Sequence, residues 1–307
     1  MQNTVASSRY VERLLEVRDL ILAEHGDHSG GRQSAGFLAR MARRLARPPR
    51  FAILGEVNSG KTSLANALIG EDLLTTDVIH NSRVPVLLRY AGEPVVSLRR
   101  EGGPPEPFDV EAIRKGSLEG CLIEVGVPID CLRDFELIDT PGTTAADEQM
   151  HRSVAIARQA HAVIWCTIGT QAWKASEVAC ARALGARAAG FGVLAVTHAD
   201  LLDASDQGKV RKRLEAEAKE CFSAVALVGM AESVSPAGRE SAAGILEILA
   251  AARGAATRIQ RERERHAAAV IGRFSARLTP ADQVQTGVRS EGSEGGSATP
   301  EVLQAAE

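Results

Sequence analysis

The segment GEVNSGKT, residues 55–62, constrains the fold of this chain more than any other stretch. It matches the pattern G-x-x-x-x-G-K-[ST], and it stands between an apolar run, FAIL, and a stretch with helical patterning, SLANALIG. Glycines allow a loop to wrap a phosphate with its N–H groups turned inward, and the dipole of the following helix favours the same negative charge. The pattern therefore predicts a loop that binds a nucleoside triphosphate. Its predicted binding residues are Gly55, Asn58, Ser59, Gly60, Lys61, Thr62 and Ser63.

Two motifs provide the predicted phosphate and metal chemistry. In the loop, Lys61 is expected to reach the β- and γ-phosphates, and the Thr62 hydroxyl is expected to bind Mg²⁺. Further along, FELIDTPG reads as a strand that ends in D-x-x-G. Asp139 would hold the Mg²⁺ through a water, and the N–H of Gly142 would hydrogen-bond the γ-phosphate. Loss of that phosphate would release the loop, which is the physical basis of a nucleotide switch.

A third motif, THAD at residues 197–200, follows an apolar strand and points to guanine as the base. It is close to the [N/T]-K-x-D pattern of GTPases, with Thr197 in the first position. The Asp200 carboxylate can accept from N1–H and the 2-amino group of guanine, whereas adenine offers an acceptor at N1 and no 2-amino group. His198 stands where Lys is usual, and its imidazole could stack on the base. Ser235 and Pro236 are the best candidates for a final base-contacting motif, and Ser233 is an alternative.

Short apolar runs alternate with helical stretches from residue 50 onward, which predicts an α/β fold with a three-layer, mostly parallel sheet of the P-loop NTPase type. We expect a helical segment over 1–48, a nucleotide-binding domain over 49–253, an Arg-rich helix over 254–279 and a disordered tail over 280–307. Within these parts, helices are predicted over 11–24, 35–46, 61–69, 145–159, 174–187, 206–221, 241–252 and 255–278. Gly26, Gly30 and Gly31 are expected to separate the first two helices.

Composition narrows the class of protein. Hydrophobic residues make up 45% of the chain, enough for a sizeable core, and the net charge of -3 argues against a surface that binds polyanions throughout. No apolar run is long enough to span a membrane, and residues 1–10 do not resemble a secretory signal. The five cysteines lack metal-ligand spacing, which is typical of free thiols in a reducing cytoplasm. The expected location is cytoplasmic, and no DNA- or RNA-binding motif is found.

Four stretches together resemble the bacterial dynamin-like GTPases, and the resemblance covers about residues 50–250. They are GEVNSGKTSLANALIGEDLL, VIHNSRVPVLLRY, IEVGVPIDCLRDFELIDTPGTT and HAVIWCTIGTQAWKASE. The resemblance implies a GTPase core flanked by helices from both chain ends, Mg²⁺-GTP as the ligand, and hydrolysis stimulated when two GTPase domains pair in a homodimer. Many members contact membranes through a long stalk, and the stretch after residue 253 is expected to be too short for one.

The resemblance also suggests roles for single residues. Ser82 falls where the family has a Thr that closes over Mg²⁺ and the γ-phosphate. Thr143 replaces a water-orienting Gln, and Val57 replaces a polar catalytic side chain, so intrinsic hydrolysis is expected to be slow. Asn58 stands where some GTPases coordinate K⁺, which neutralises developing charge. The alternative for Asn58 is that it only stabilises the loop.

Two other functions and one other surface remain open at this stage. The chain could be a non-catalytic scaffold gated by GTP, or a ribosome-associated GTPase assembly factor. Arginines are dense over 40–50 and 253–277, which suits contact with anionic lipid at the inner face of the membrane. The favoured alternative is that these arginines form the solvated faces of two helices that pack together beside the core.

Overall fold

A mixed β-sheet forms the centre of the computed structural model, which describes residues 2–26, 28–74, 84–100, 103–108, 121–140, 155–185, 190–230 and 243–278. The helices are α1 Gln2–His25, α2 Ser29–Leu45, α3 Lys61–Ile69, α4 Ala175–Leu184, α5 Ala204–Glu217 and α6 Ala243–Leu278. The strands are β1 Arg50–Gly55, β2 Val86–Tyr90, β3 Val95–Arg100, β4 Pro105–Pro107, β5 Cys121–Val127, β6 Glu136–Asp139, β7 Ala162–Ile168, β8 Val193–Thr197 and β9 Ala224–Leu227. Short 3₁₀ helices span Asp130–Arg133, Gly169–Gln171 and Ala199–Leu201.

The strand order places the phosphate loop at the middle of the sheet. In the described residues the order is β4-β3-β5-β2-β6-β1-β7-β8-β9. Strands β6, β1, β7, β8 and β9 run parallel, whereas β2 is antiparallel to β6 and β3 is antiparallel to both β4 and β5. Because the carboxyl ends of parallel strands meet at one edge, the loops after β1, β6, β7 and β8 lie side by side.

Helices cover both faces of this sheet, which confirms the predicted three-layer α/β fold. On one face, α3 and the first half of α6 pack against a core that includes Phe51, Leu64 and Ile248. On the other face, α4 and α5 pack against a core that includes Trp165 and Leu214. Strand β1 contributes to both cores because its side chains alternate between the two faces.

A second, smaller core joins the two ends of the chain. It is formed by the buried faces of α1, α2 and the last part of α6, with Leu14, Leu38 and Val270 among its members. The apolar spacing over 11–24 correctly predicted the buried stripe of α1, where Leu14, Val17 and Ile21 are at most 4% exposed. The helical flank that the sequence predicted is therefore present, although the division of the chain into domains stays a prediction.

Three secondary-structure predictions were wrong. The helices predicted over 241–252 and 255–278 are one helix, α6, which passes through Gly254 without a break. An exposed glycine inside a helix costs only about 1 kcal/mol relative to alanine, and burial of Ala252, Ala255 and Ala256 on either side offsets that cost. Strand β4 was not predicted because it contains two prolines, which a strand tolerates at the edge of a sheet.

The third error concerns the start of α2. This helix begins at Ser29 rather than at residue 35, so Gly30 and Gly31 lie inside it and do not break the chain. Gly31 is buried where α2 meets the end of α1, and a Cβ added there would lie 2.0 Å from the carbonyl oxygen of His25. The absence of a side chain at Gly31 therefore lets α2 approach the end of α1 closely. Most of the helix predicted over 145–159, and the whole tail predicted over 280–307, lie outside the described residues.

Candidate nucleotide-binding site

The phosphate loop joins the end of β1 to the start of α3. Gly60, with φ at +77°, caps α3, and its carbonyl accepts from the N–H of Leu64 at 2.8 Å. Gly55 has φ at +147°, and a Cβ there would lie 2.3 Å from the carbonyl oxygen of Cys166. Both positions favour glycine because of their positive φ, and at Gly55 a Cβ would also collide with the backbone of Cys166. Asn58 also has a positive φ, 61°, and is exposed.

Lys61 is the buried cation of this loop. Its side chain is part of a residue only 6% exposed, and Nζ donates to the carbonyl oxygen of Glu56 at 2.5 Å. Burial lowers the pKa of Lys61, while Asp139 and Glu56 act in the opposite direction. Within the described part of the chain, the ammonium donates to this neutral carbonyl oxygen, which a phosphate oxygen could replace with a stronger charge-assisted hydrogen bond.

Thr62 and Asp139 meet beside Lys61. The Thr62 hydroxyl donates to Oδ2 of Asp139 at 2.8 Å, because β1 and β6 are parallel neighbours with Ile53 opposite Asp139. The next residue, Thr140, donates its hydroxyl to the carbonyl oxygen of Ile53 at 2.8 Å and fixes the end of β6. A hydroxyl and a carboxylate are oxygen donors of the kind that Mg²⁺ prefers, so these residues fit that metal.

The THAD motif, residues 197–200, lies directly against the phosphate loop. The buried hydroxyl of Thr197 lies 2.9 Å from the carbonyl oxygen of Ser59 and 3.1 Å from that of Thr167. His198 has φ at 54°, and a Cβ on Gly60 would lie 3.5 Å from its Cε1 atom. One hydroxyl therefore ties the loop after β1 to the ends of β7 and β8.

Asp200 occupies the short 3₁₀ helix after β8 and is exposed. Its Oδ1 accepts from the backbone N–H of Met230 at 2.8 Å. That contact orients the carboxylate from the loop after β9. Because the THAD motif adjoins Gly60, its last residue, Asp200, lies on the same edge of the sheet as the phosphate loop.

The described residues include most of the site predicted from the sequence. Gly55, Asn58, Ser59, Gly60, Lys61, Thr62, Ser63, Asp139, Thr197, His198 and Asp200 are all located, and they adjoin one another along the carboxyl edge of the sheet. Ser63 is exposed in the first turn of α3. Ser82, Gly142, Ser235 and Pro236 lie outside the described residues, so their roles stay predictions.

Sequence reasoning missed a cluster on the outer side of the loop. The Glu56 carboxylate receives Lys174 Nζ at 2.8 Å and the hydroxyl of Ser176 at 2.9 Å. The hydrogen bond from Lys174 is the main reason that the pKa of Glu56 lies below its ordinary value. An acidic residue inside a phosphate-binding pattern was the signal that could have prompted a search for its basic partner.

Behind this cluster, Glu177 is only 2% exposed and accepts three hydrogen bonds. The donors are Nε1 of Trp165 at 3.3 Å, the Thr167 hydroxyl at 2.9 Å and the backbone N–H of Lys174 at 2.9 Å. Glu177 therefore fixes the connection between β7 and α4, from which Lys174 and Ser176 reach the phosphate loop.

The fold and the loop together define a P-loop NTPase domain. Residues 51–184 match the Dynamin family. The isoniazid-induced protein IniC of Mycobacterium tuberculosis is 34% identical over 118 residues, which are 35% of this chain and 24% of that protein. Dynamin-like protein 2 of Campylobacter jejuni is 30% identical over 133 residues, which are 41% of this chain and 22% of that protein. The family match and the bacterial relatives together support a bacterial dynamin-like GTPase.

A solved structure shares the overall fold. That structure is of an oligomerised bacterial dynamin pair, which is described as providing a mechanism for the long-range sensing and tethering of membranes. The two chains superpose with a TM-score of 0.52 at 15% sequence identity, and the match covers 91% of this chain and 55% of the other. The chain spans about a quarter of the length of each of the two curated relatives named above. Within the described residues, no helix is both long and apolar enough to cross a membrane.

Proposed function

We propose that this chain binds GTP with Mg²⁺ and hydrolyses it to GDP and phosphate, and that pairing with a second copy or a partner stimulates turnover. The observation that carries the proposal is the contact between Thr62 and Asp139, at 2.8 Å, beside the buried ammonium of Lys61. Cation, hydroxyl and carboxylate are the groups that phosphoryl transfer needs for charge neutralisation and metal binding. The family to which the chain belongs supports GTP binding and hydrolysis in general.

The preference for guanine rests on Asp200. Its carboxylate is exposed beside the phosphate loop and oriented by the N–H of Met230. Guanine would present two donors to that carboxylate, whereas adenine would leave it facing an acceptor. His198 replaces the usual Lys and would cover the base with its ring.

Each residue of the site has one task in this proposal. Lys61 and the N–H groups at the start of α3 hold the β- and γ-phosphates and oppose the negative charge that develops during transfer. Thr62 and Asp139 would hold Mg²⁺, which would supply positive charge to offset that of the phosphates. Gly142 and Ser82 are proposed to contact the γ-phosphate, and Asn58 is proposed to help to bind K⁺.

The test is phosphate release from GTP by the purified chain with Mg²⁺ in KCl, over a hundredfold range of protein concentration. We expect turnover per molecule to rise with concentration, because pairing would complete the site. We also expect EDTA to abolish tight GTP binding.

GTP binding without turnover at any concentration would favour a GTP-gated scaffold instead, and equal turnover in KCl and NaCl would contradict the potassium proposal. Co-sedimentation with ribosomal subunits would favour an assembly factor.

Several arginines of the basic segments already have intramolecular partners. Arg50 pairs with Glu136 at 2.9 Å, Arg253 pairs with Asp134 at 3.0 Å, and Arg263 donates to the carbonyl oxygen of Arg47 at 3.0 Å. These contacts support an intramolecular task for those side chains, within the sheet for Arg50, between α6 and the core for Arg253, and at the helical flank for Arg263. Flotation with anionic liposomes in either nucleotide state would contradict this reading and favour peripheral membrane contact.

A further inference from the structure

Glu56 adds a negatively charged side chain to the phosphate loop. It lies inside the phosphate loop, one residue after Gly55, and its carbonyl oxygen holds the ammonium of Lys61 at 2.5 Å. A carboxylate beside a bound polyphosphate would repel the phosphate groups. The carboxylate would also compete with them for the positive charge of Lys61. At the short distances inside such a loop, the repulsion between like charges is large enough to weaken binding.

The stretch between β7 and α4 compensates this charge. Lys174 Nζ lies 2.8 Å from one carboxylate oxygen of Glu56, and the hydroxyl of Ser176 donates to the other at 2.9 Å. Both oxygens are thereby engaged by a single segment. The side chain of Lys174 is 40% exposed and that of Glu56 is 28% exposed, so the pair contributes little to the stability of the fold.

The segment that carries Lys174 is held rigidly. The backbone N–H of Lys174 donates to the buried Glu177, and the N–H of Trp173 donates to the Thr167 hydroxyl at 3.2 Å. Thr167 also accepts, through its carbonyl oxygen, the hydroxyl of Thr197 that contacts Ser59. The segment therefore contacts the phosphate loop through Glu56 and through Thr197. These contacts hold the ammonium of Lys174 at a fixed position beside the loop.

We propose that Lys174, assisted by Ser176, neutralises the Glu56 carboxylate and thereby allows the phosphate loop to accept a nucleoside triphosphate. The proposal rests on the proposed GTP binding and extends it, because it assigns a positioning residue outside the nucleotide motifs. It also gives a task to the run HAVIWCTIGTQAWKASE, which resembles the family but contributes no residue to the predicted site.

The test is titration of a fluorescent GTP analogue, with Mg²⁺, into the full chain and five variants: Lys174→Met, Lys174→Arg, Glu56→Gln, the double variant of Lys174→Met with Glu56→Gln, and Lys209→Met. Lys209 is the matched control, because it also forms an exposed ion pair at 2.8 Å, with Asp206 on α5, away from the loop. Lys174→Met keeps the length of the side chain and the backbone N–H that Glu177 needs.

We expect Lys174→Met to weaken binding about tenfold, because it leaves Glu56 charged beside the triphosphate. Lys209→Met should bind within about twofold of the unaltered chain, whereas Glu56→Gln should bind at least as tightly, because it removes the carboxylate and leaves the Lys174 ammonium beside the triphosphate. The double variant should recover most of the lost affinity, because no uncompensated charge remains. Lys174→Arg should also bind normally, and the melting temperature of each variant should stay close to that of the unaltered chain.

Two results would overturn the proposal. Lys174→Met could bind as tightly as the unaltered chain, or the double variant could bind as weakly as Lys174→Met, which would mean that the contact holds the loop in place without acting through charge. Failure of the unaltered chain to bind the analogue is a separate outcome. It would refute the proposed function before any variant is compared, and the role of Lys174 with it.

Discussion

Thr197 shows how one side chain can organise a site at the residue scale. Its hydroxyl is fully buried and lies within hydrogen-bond distance of two carbonyl oxygens, those of Ser59 and Thr167. A hydroxyl carries one proton, so the two acceptors share a single donor. Thr197 therefore holds the phosphate loop against the end of β7, and Asp200, three residues later, is the residue that we propose contacts the base.

The first residue-scale prediction concerns the choice of base. Asp200→Asn should weaken GTP binding about a hundredfold, because an amide replaces a carboxylate that accepts two hydrogen bonds. Binding of xanthosine triphosphate should improve, since the amide N–H can donate to the additional carbonyl of xanthine. Competition between the two nucleotides measures both effects. Asp203→Asn is the control, because Asp203 caps α5 and Asn caps helices equally well. Unchanged GTP affinity in Asp200→Asn would contradict the assignment.

The second residue-scale prediction concerns stability at alkaline pH. Burial raises the pKa of Cys166 from 9.0 to about 12. Between these values the unfolded chain loses the thiol proton and the folded chain keeps it, so the free energy of unfolding falls as pH rises from about 9. The slope for one such thiol is at most about 1.4 kcal/mol per pH unit. Urea unfolding should show a shallower alkaline loss in Cys166→Ala. Equal slopes in the two proteins would show that Cys166 is not responsible.

At the scale of elements, the connection from β7 to α4 is the least regular and most constrained part of the site. It contains a 3₁₀ turn, Gly169–Gln171, and Trp173 with φ at 69°. The Trp173 ring packs edge-on against Phe222, with ring centroids 5.7 Å apart. Buried hydrogen bonds to Glu177 then fix the start of α4, so the connection holds one conformation without regular secondary structure.

Removal of Glu177 should destabilise this connection. Glu177→Ala would leave three donors without their acceptor, and we expect the free energy of unfolding to fall by about 3 kcal/mol. Chemical unfolding measures the change. Glu217→Ala, at the exposed end of α5, is the control and should change stability by less than about 0.5 kcal/mol. A similar small change in both variants would mean that Glu177 does not organise the connection.

At the scale of the whole molecule, α6 joins the nucleotide-binding core to the helical flank. Its first half lies on the sheet through Ile248 and Ile259, and its last part packs on α1 through Ala267 and Val270. At the junction, Gln260 donates to the carbonyl oxygen of Leu45 at 3.3 Å. Arg263 is half-buried there, and this partial burial lowers its pKa to about 10.

Breaking α6 at this junction should separate the two parts. Glu262 is exposed midway between the two cores. Glu262→Pro removes one helix hydrogen bond and places the proline ring against the preceding turn, which costs about 3 kcal/mol. Calorimetry should show a lower melting temperature with two transitions, one for the flank and one for the core. Glu262→Ala should melt like the unaltered chain, and a single unshifted transition in the proline variant would contradict the prediction.

Much of the fold and of the site could be predicted from local pattern. The helix predicted over 61–69 is α3, with the same bounds, because the glycine pattern fixes where the loop ends and where the helix begins. The α/β class follows from the alternation of apolar runs and helical stretches. Asp139 and Asp200 were found because the first ends an apolar strand and the second follows one within three residues, and parallel strands bring their carboxyl ends to one edge.

The sequence by itself thus determined the phosphate loop, the α/β class and the kinds of side chain along its edge. Only the tertiary structure decided which distant residues meet them. The contact of Lys174 with Glu56, the ties from Thr197 to Ser59 and Thr167, and the uninterrupted α6 all depend on strand order and on packing between remote segments. Hydrophobic periodicity reports which face of an element is buried. It does not report which element covers that face, and so these contacts could not be read from local pattern.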